Sequence, residues 1–81
     1  MDSKLSQHFR QARLSKGLTL GQLTRLVGYK KVSKGANRIN AFEHGGSIHA
    51  DLRGKLAEVL GIDHLTVERL MEEDRRQFFA E

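Results

Sequence analysis

The sequence predicts an all-α domain of five helices, and three features of the chain indicate it. Apolar residues recur every three or four positions in several segments, which is the spacing typical of amphipathic helices. The chain has eight glycines and no proline, and a glycine follows several of these segments, where a left-handed residue commonly ends a helix. Its 81 residues fit a single domain over 1–81, with a core over 4–71 and a C-terminal helical tail over 72–81.

Two helices are predicted before residue 28. The first spans 4–16 behind a capping Ser3, and the second spans about 20–27 behind a capping Thr19. A glycine follows each of them and can end the helix by adopting a left-handed conformation. The residues that form their apolar faces are Leu5, Phe9, Ala12, Leu20, Leu23, Leu26 and Val27.

The third helix is expected to begin at a capping Ser33 and to turn Ile39 and Phe42, three residues apart, toward the core. An apolar face behind and a polar, cationic face of small residues in front suit a helix that enters a DNA groove. The residues left on that front face are Asn37, Arg38, Asn40, Ala41 and His44.

Two further helices follow the glycine pair at 45–46. Ser47 is expected to cap the fourth helix, and Thr66 is expected to cap the fifth after a linker over 62–65. Gly54 costs about 1 kcal/mol relative to alanine inside a helix, so it predicts a close helix crossing. The apolar residues of these helices are Ile48, Leu52, Leu56, Val59, Leu60, Val67, Leu70 and Met71.

The two halves of the chain differ in charge. Residues 3–42 contain nine Lys or Arg residues and no acid, whereas residues 43–81 contain nine acids and five bases. Such segregation indicates an anionic partner for the first half, and the attraction would weaken as salt is added. The alternative is that the basic residues only solvate one face.

Several classes of function are disfavoured. The absence of cysteine removes disulfides, thiolate chemistry and zinc-finger sites. No apolar run has the length of a membrane span, and the N-terminus lacks the apolar stretch of a signal peptide. No metal-ligand spacing, catalytic triad or phosphate-binding glycine loop is present, so we expect neither an enzyme nor a cofactor or metal. The histidines lie in different elements, at His8, His44, His49 and His64.

The chain resembles the phage-repressor, or XRE-type, helix-turn-helix family in four segments that span residues 5–71. The first two segments, in the first two helices, contain Phe9, Arg10, Arg13, Gly17, Leu18, Thr19, Leu23 and Gly28. The third, I-x-x-I-E-x-G in the family, corresponds to Ile39, Phe42, Glu43 and Gly45. The fourth, L-A-x-x-L-G-V, corresponds to Leu56, Ala57, Leu60, Gly61 and Ile62. The resemblance implies a lambda-repressor-like fold and a cytoplasmic transcriptional regulator, repressor-like, of bacterial or phage origin.

The sequence departs from the family at two places. The stretch before the third helix is about five residues longer than usual, through the inserted residues 29–33 (YKKVS). Turns in helix-turn-helix units normally have about 3–4 residues. Leu20 also stands where many members have a glutamine that binds phosphate. The lysines of the longer turn are expected to take over that role.

Base reading is assigned to the third helix. Asn37 can pair bidentately with adenine, and Arg38 with guanine. Ala36 and Ala41 permit close approach and can contact a thymine methyl group. The resemblance implies base-reading roles for the positions of Ala36, Asn37 and Ala41. The full predicted set is Ala36, Asn37, Arg38, Asn40 and Ala41.

Phosphate binding is assigned to cations around the start of the third helix. Lys and Arg neutralise phosphates and release counterions, which gives affinity with little sequence information. Backbone amides near Gly35 are expected to bind a further phosphate at the helix N-terminus. The predicted set is Lys16, Arg25, Lys30, Lys31, Lys34, Gly35 and His44.

An ion pair between Arg13 and Glu43 is implied by the resemblance, since members of the family commonly pair an arginine of the first helix with a glutamate at the end of the third. Its role would be structural, and Arg13 is therefore not assigned to DNA. Removing one partner of a buried pair costs roughly 3–5 kcal/mol.

The predicted partner is double-stranded DNA, bound by a monomer or a homodimer. One alternative is a protein-interaction module, such as an antitoxin-like partner, that uses the tail through Phe78 and Phe79. The other is RNA binding through the basic half. The single tyrosine and the lack of interleaved aromatic residues disfavour a stacking platform for single strands.

Overall fold

The computed structural model describes residues 3–80, and the side chains of residues 3–77. The fold is all-α, and the prediction of five helices is confirmed. The helices are α1 (Lys4–Ser15), α2 (Leu20–Leu26), α3 (Val32–Glu43), α4 (Ala50–Leu60) and α5 (His64–Ala80). None of the helices in the described part of the chain has both the length and the apolarity needed to cross a membrane.

All five helices contribute to one hydrophobic core. Phe9 of α1 and Phe42 of α3 meet edge to face near its centre, with ring centroids 5.2 Å apart. This geometry adds about 0.5–1.5 kcal/mol to the benefit of burying the two rings. The buried apolar residues, all of them predicted to face the core, are Leu5, Phe9, Leu23, Val27, Ile39, Phe42, Leu56, Leu60, Val67 and Leu70.

The first two helices begin where the sequence predicts. Ser3 Oγ accepts a hydrogen bond from the Ser6 amide (3.0 Å) and so caps α1. Thr19 and Gln22 form a reciprocal capping box at the start of α2, at 3.1 and 2.8 Å. Gly17, just past α1, has a φ of 69°, a conformation that glycine adopts without strain.

The starts of the other three helices differ from the prediction. The Gly35 amide donates to the Lys31 carbonyl (2.9 Å), so α3 begins at Val32 and Ser33 lies inside it without capping it. The Gly46 amide donates to the Ala41 carbonyl (2.8 Å), which holds the chain against the end of α3. The fourth helix begins at Ala50 after an extended His49, so Ser47 is not its cap.

The fifth helix begins at His64, two residues before the predicted cap Thr66. Asp63 Oδ1 accepts a hydrogen bond from the Leu65 amide at 3.3 Å, so the carboxylate acts where the threonine was expected to. The predicted linker over 62–65 is correspondingly shorter.

The close helix crossing predicted at Gly54 is wrong, because the crossing lies at Gly35. A Cβ atom on Gly35 would lie 2.5 Å from Thr24 Cγ2 and 2.8 Å from the Tyr29 ring, whereas a Cβ on Gly54 would meet nothing within 4 Å. Thr24 is fully buried, and its hydroxyl donates to the Leu20 carbonyl at 2.6 Å. The helices α2 and α3 therefore approach each other at Thr24 and Gly35.

Asp74 links α5 to the start of α1. Its carboxylate accepts hydrogen bonds from the Lys4 amide (2.8 Å) and the Leu5 amide (3.1 Å). These amides belong to the first turn of α1 and have no partner within that helix. The negative charge also opposes the positive end of the helix dipole. The segment predicted as a tail, 72–81, thus contributes a contact to the body of the domain.

Replacing Asp74 with alanine is expected to lower the free energy of unfolding by about 1–2 kcal/mol, since two amides lose their acceptor. The measurement is urea unfolding followed by circular dichroism. The matched control is Glu73→Ala, because the Glu73 carboxylate is exposed and only reaches Lys4 Nζ at 4.0 Å. That variant should change stability by less than about 0.5 kcal/mol. Equal losses in the two variants would contradict the capping role of Asp74.

Candidate nucleic-acid interface

The outer face of α3 carries most of the residues assigned to base reading. Successive residues turn about 100° around a helix axis, so Asn37 lies nearly opposite the buried Gly35, Ile39 and Phe42. Asn40 and Ala41 lie on either side of Asn37, and all three are exposed. The side chains nearest the middle of this face are therefore two amides and one methyl group.

Two of the assigned residues lie at the edges of that face. Ala36 is half-buried on one edge. Arg38 is exposed on the other edge, with its guanidinium carbon 5.9 Å from the centroid of the Tyr29 ring. At this distance a cation is attracted to the face of an aromatic ring. The guanidinium of Arg38 is thus associated with the turn before α3.

The N-terminus of α3 concentrates positive charge. Lys30, Lys31 and Lys34 are exposed within five residues of one another, and no acid lies in the first turn of the helix. No side chain caps this end, although α1 and α2 both have side-chain caps. Helix N-termini already carry a partial positive charge, so lysines here cost stability and favour a bound anion.

The prediction for Gly35 needs a correction. The Gly35 amide already donates to the Lys31 carbonyl at 2.9 Å, so it is not free to bind phosphate. The residue is also buried, since it forms the crossing with α2. The amides that have no carbonyl acceptor within the helix are those of Val32, Ser33 and Lys34, in the first turn of α3.

The inserted stretch lengthens the turn less than the sequence suggests. The turn between Leu26 and Val32 has five residues, because Val32 and Ser33 belong to α3. Its backbone is held by a hydrogen bond from the Tyr29 amide to the Thr24 carbonyl at 3.2 Å. Val32 and Ser33, the last two residues of the insertion, therefore form the start of α3, directly after Lys30 and Lys31.

The remaining residues assigned to phosphate binding are spread out. Lys16 follows α1 and Arg25 lies in the last turn of α2, and both are exposed. His44 lies at the opposite end of α3 from Lys34, about 15 Å away along the axis. Its Nδ1 forms a hydrogen bond with the Asn40 carbonyl at 2.8 Å. His44 is therefore not part of the lysine cluster.

An ion pair fixes the C-terminal end of α3 to the rest of the domain. Arg13 Nε and Nη2 donate to the two carboxylate oxygens of Glu43, at 2.7 and 2.9 Å. Arg13 Nη1 donates to the Leu18 carbonyl at 2.8 Å. The side chains are only 11% and 2% exposed, so the pair is buried. Glu43 is the only acid of α3, and its charge is turned inward and balanced.

Sequence reasoning missed two residues that shape this surface, Thr24 and Tyr29, and gave Gly35 a different role. Thr24 and Gly35 set the approach of α3 to α2, and Tyr29 supports both Gly35 and Arg38. A glycine at the fourth position of a helix that is otherwise free of helix breakers was the available signal for a crossing. Nothing in the sequence indicated that Tyr29 lies beside Arg38.

A second concave surface lies away from the exposed face of α3. A groove of about 740 Å³ lies between α4 and α5, with Gly54, Ala57, Val67 and Met71 among the residues that line it. Within residues 3–77, no group of three acidic or histidine side chains is close enough to hold a metal ion. The side chains of Phe78 and Phe79, which the sequence assigns to a protein partner, lie outside the described part of the chain.

Comparisons with models of protein families, with curated proteins and with solved structures find no match to this chain. The resemblance to the phage-repressor family therefore stays a prediction from the sequence.

Proposed function

We propose that the chain binds double-stranded DNA by placing the outer face of α3 in the major groove. Under this proposal α2 and α3 form the helix-turn-helix of a lambda-repressor-like domain, and the protein regulates transcription, most simply as a repressor. The observation that carries the proposal is the charge of α3: its exposed face has cations, amides and small side chains, and its one acid is buried against Arg13.

The size of α3 fits this role. Its 12 residues extend about 18 Å, and the major groove is about 12 Å wide and admits an α-helix. Small residues at the centre of the face let the helix approach the base edges. The lysines at its N-terminus would then lie close to a phosphate backbone.

Roles follow from the chemistry of each side chain. Asn37 presents a donor and an acceptor that match the N6 and N7 atoms of adenine, and it lies at the centre of the exposed face. Lys30, Lys31 and Lys34 bind phosphates and set the register of the helix in the groove. If two copies bind together, their half-sites lie about one helical turn apart, roughly 34 Å.

Substitutions at Asn37 and Lys31 should have different signatures. Asn37→Ala is expected to remove about 1–3 kcal/mol of discrimination at one base pair, since a bidentate contact to adenine is lost. Lys31→Ala should weaken binding to all duplexes about equally and reduce the slope of log K against log salt by about 1. Fluorescence anisotropy with a selected duplex and a scrambled duplex, at several salt concentrations, measures both effects.

The control for charge is Lys4→Ala, which also removes one positive charge. Lys4 lies at the start of α1 beside Glu73 and has no role in the proposed interface. The substitution should leave the affinity almost unchanged. Uniform weakening by Asn37→Ala on both duplexes would contradict its assignment as a base reader. Equal weakening by Lys31→Ala and Lys4→Ala would contradict a local phosphate contact.

A second candidate function is binding to a protein partner, as the alternative drawn from the sequence proposes. The observation that favours it is the groove between α4 and α5, on the acidic half of the chain. Deleting residues 77–81 discriminates the two proposals. If the truncated chain loses its protein partner but keeps its full affinity for DNA, the second candidate is supported. If partner binding and DNA affinity are both unchanged, the tail is not the site of protein binding.

A further inference from the structure

We propose that Tyr29 is a positioning residue for base recognition, which holds the guanidinium of Arg38 in one orientation at the edge of the recognition surface. This inference rests on the proposed function, because it concerns how the α3 face reads a base pair. It assigns a role to the turn before α3, which the DNA-binding proposal uses only as a carrier of lysines.

The Tyr29 ring is itself fixed by the fold. Tyr29 is half-buried, and its amide donates to the Thr24 carbonyl at 3.2 Å. Its ring lies over Gly35 so closely that a Cβ atom there would be 2.8 Å from Cγ and Cδ1 of the ring. The absence of a side chain at Gly35 therefore creates the space that the ring occupies.

Arg38 lies over this fixed ring. Its guanidinium carbon is 5.9 Å from the ring centroid, within the range at which a cation is attracted to a ring face. Gly35 and Arg38 are three residues apart on α3, so the ring that covers one reaches the other on the same side of the helix. The two residues and the ring form one continuous layer at this edge of α3.

Such an arrangement keeps Arg38 available to DNA. The ring attracts the guanidinium through its charge and takes up none of its N–H donors. Within residues 3–77, no carboxylate lies within 4.0 Å of the Arg38 guanidinium, so no ion pair there uses its donors. The guanidinium of Arg38 can therefore still donate hydrogen bonds to the O6 and N7 atoms of guanine.

Fixing the side chain favours binding because a free arginine loses rotamer entropy when it docks. The loss is smaller when the bound orientation is already populated in the free protein. The benefit applies only to the base pair that Arg38 contacts. A ring at this position should thus raise discrimination at one base pair and leave the remainder of the binding unchanged.

The test compares Tyr29→Phe, which keeps the ring, with Tyr29→Met, which keeps bulk beside Gly35 but has no ring face. Selection from a randomised duplex library with the wild type and with Arg38→Ala first identifies the base pair at which Arg38 acts. Tyr29→Met is expected to reduce discrimination at that base pair about two- to fivefold, and Tyr29→Phe to retain it. Thermal unfolding checks that both variants are folded.

The result that would overturn the inference is uniform weakening by Tyr29→Met at all base pairs, or discrimination equal to that of the wild type. Loss of discrimination in Tyr29→Phe would overturn it as well, since the ring is present there. Should Tyr29→Met not fold, Tyr29→Leu takes its place, with the same expected loss of discrimination at that base pair and no further loss in the Arg38→Ala background. If the wild type selects no motif, the proposed function fails, and the loss of ring-current shifts of the Arg38 side-chain protons in Tyr29→Met still tests the contact itself.

Discussion

Replacing Glu43 with alanine is expected to lower the free energy of unfolding by about 3–5 kcal/mol, the largest effect that we predict for a single substitution in this chain. The change leaves the Arg13 guanidinium buried without its bidentate partner, with only the Leu18 carbonyl as acceptor. A domain of 81 residues has a total stability of about 4–12 kcal/mol. Urea unfolding of the variant should therefore show a large fall in the transition midpoint.

Two further variants separate the ion pair from its burial. Arg13→Met combined with Glu43→Leu should recover most of the loss, because no unpaired charge remains in the core. Glu68→Ala, which removes an exposed pair with His64 (3.1 Å), should cost less than about 1 kcal/mol. A Glu43→Ala variant as stable as Glu68→Ala would contradict the structural role of the buried pair.

Replacing Gly35 with alanine is expected to destabilise the domain by about 1–3 kcal/mol, although alanine is the better helix former. The added methyl would lie 2.5 Å from Thr24 Cγ2 and 2.8 Å from the Tyr29 ring. Thr24 is fully buried and cannot move aside without disturbing α2. The expected observations are a lower unfolding midpoint and, since α3 shifts, weaker binding to DNA.

The matched control is Gly54→Ala in α4. This glycine is exposed inside a helix, and a Cβ atom on it meets nothing within 4 Å. The substitution should therefore stabilise the domain by about 0.5–1 kcal/mol through helix propensity and the unfolded state. Opposite signs for the two substitutions are the expected outcome of chemical denaturation. A stabilising Gly35→Ala would mean that α2 and α3 do not cross closely at this residue.

The helices and the core were predictable because they depend on local features of the sequence, namely the spacing of apolar residues and the capping residues. The spacing of apolar residues such as Phe9, Leu23 and Phe42 identified the core, which is confirmed except at Leu26, which was expected on the apolar face and is 57% exposed. The caps Ser3 and Thr19 were also predicted correctly, because each acts on its own helix. Such features depend on residues a few positions apart, and the sequence displays them directly.

Long-range contacts account for what the sequence did not reveal. Asp74 caps a helix that begins 70 positions earlier, and no local pattern indicates this. The starts of α3 and α4 were wrong because a serine with capping chemistry was preferred over the path of the preceding backbone. The predicted crossing at Gly54 is wrong because helix propensity alone cannot distinguish a glycine with open space around it from a crowded one.

The sequence predicted which residues form the candidate interface better than it predicted how their side chains are arranged. The exposed positions of Asn37 and Ala41 follow from the helical period, which the sequence reveals. The position of the Arg38 guanidinium over the Tyr29 ring does not, because it depends on how a five-residue turn folds back over Gly35. The bases that each side chain reads depend on the docked complex and stay predictions.

The central claim is that α3 reads sequence in duplex DNA, and selection from a randomised duplex library at two salt concentrations tests it most directly. The proposal predicts an enriched motif whose affinity falls steeply with salt, since several phosphates are neutralised together with base contacts. Salt-sensitive binding that enriches no motif would contradict base reading by α3. No binding at low salt would contradict DNA binding altogether.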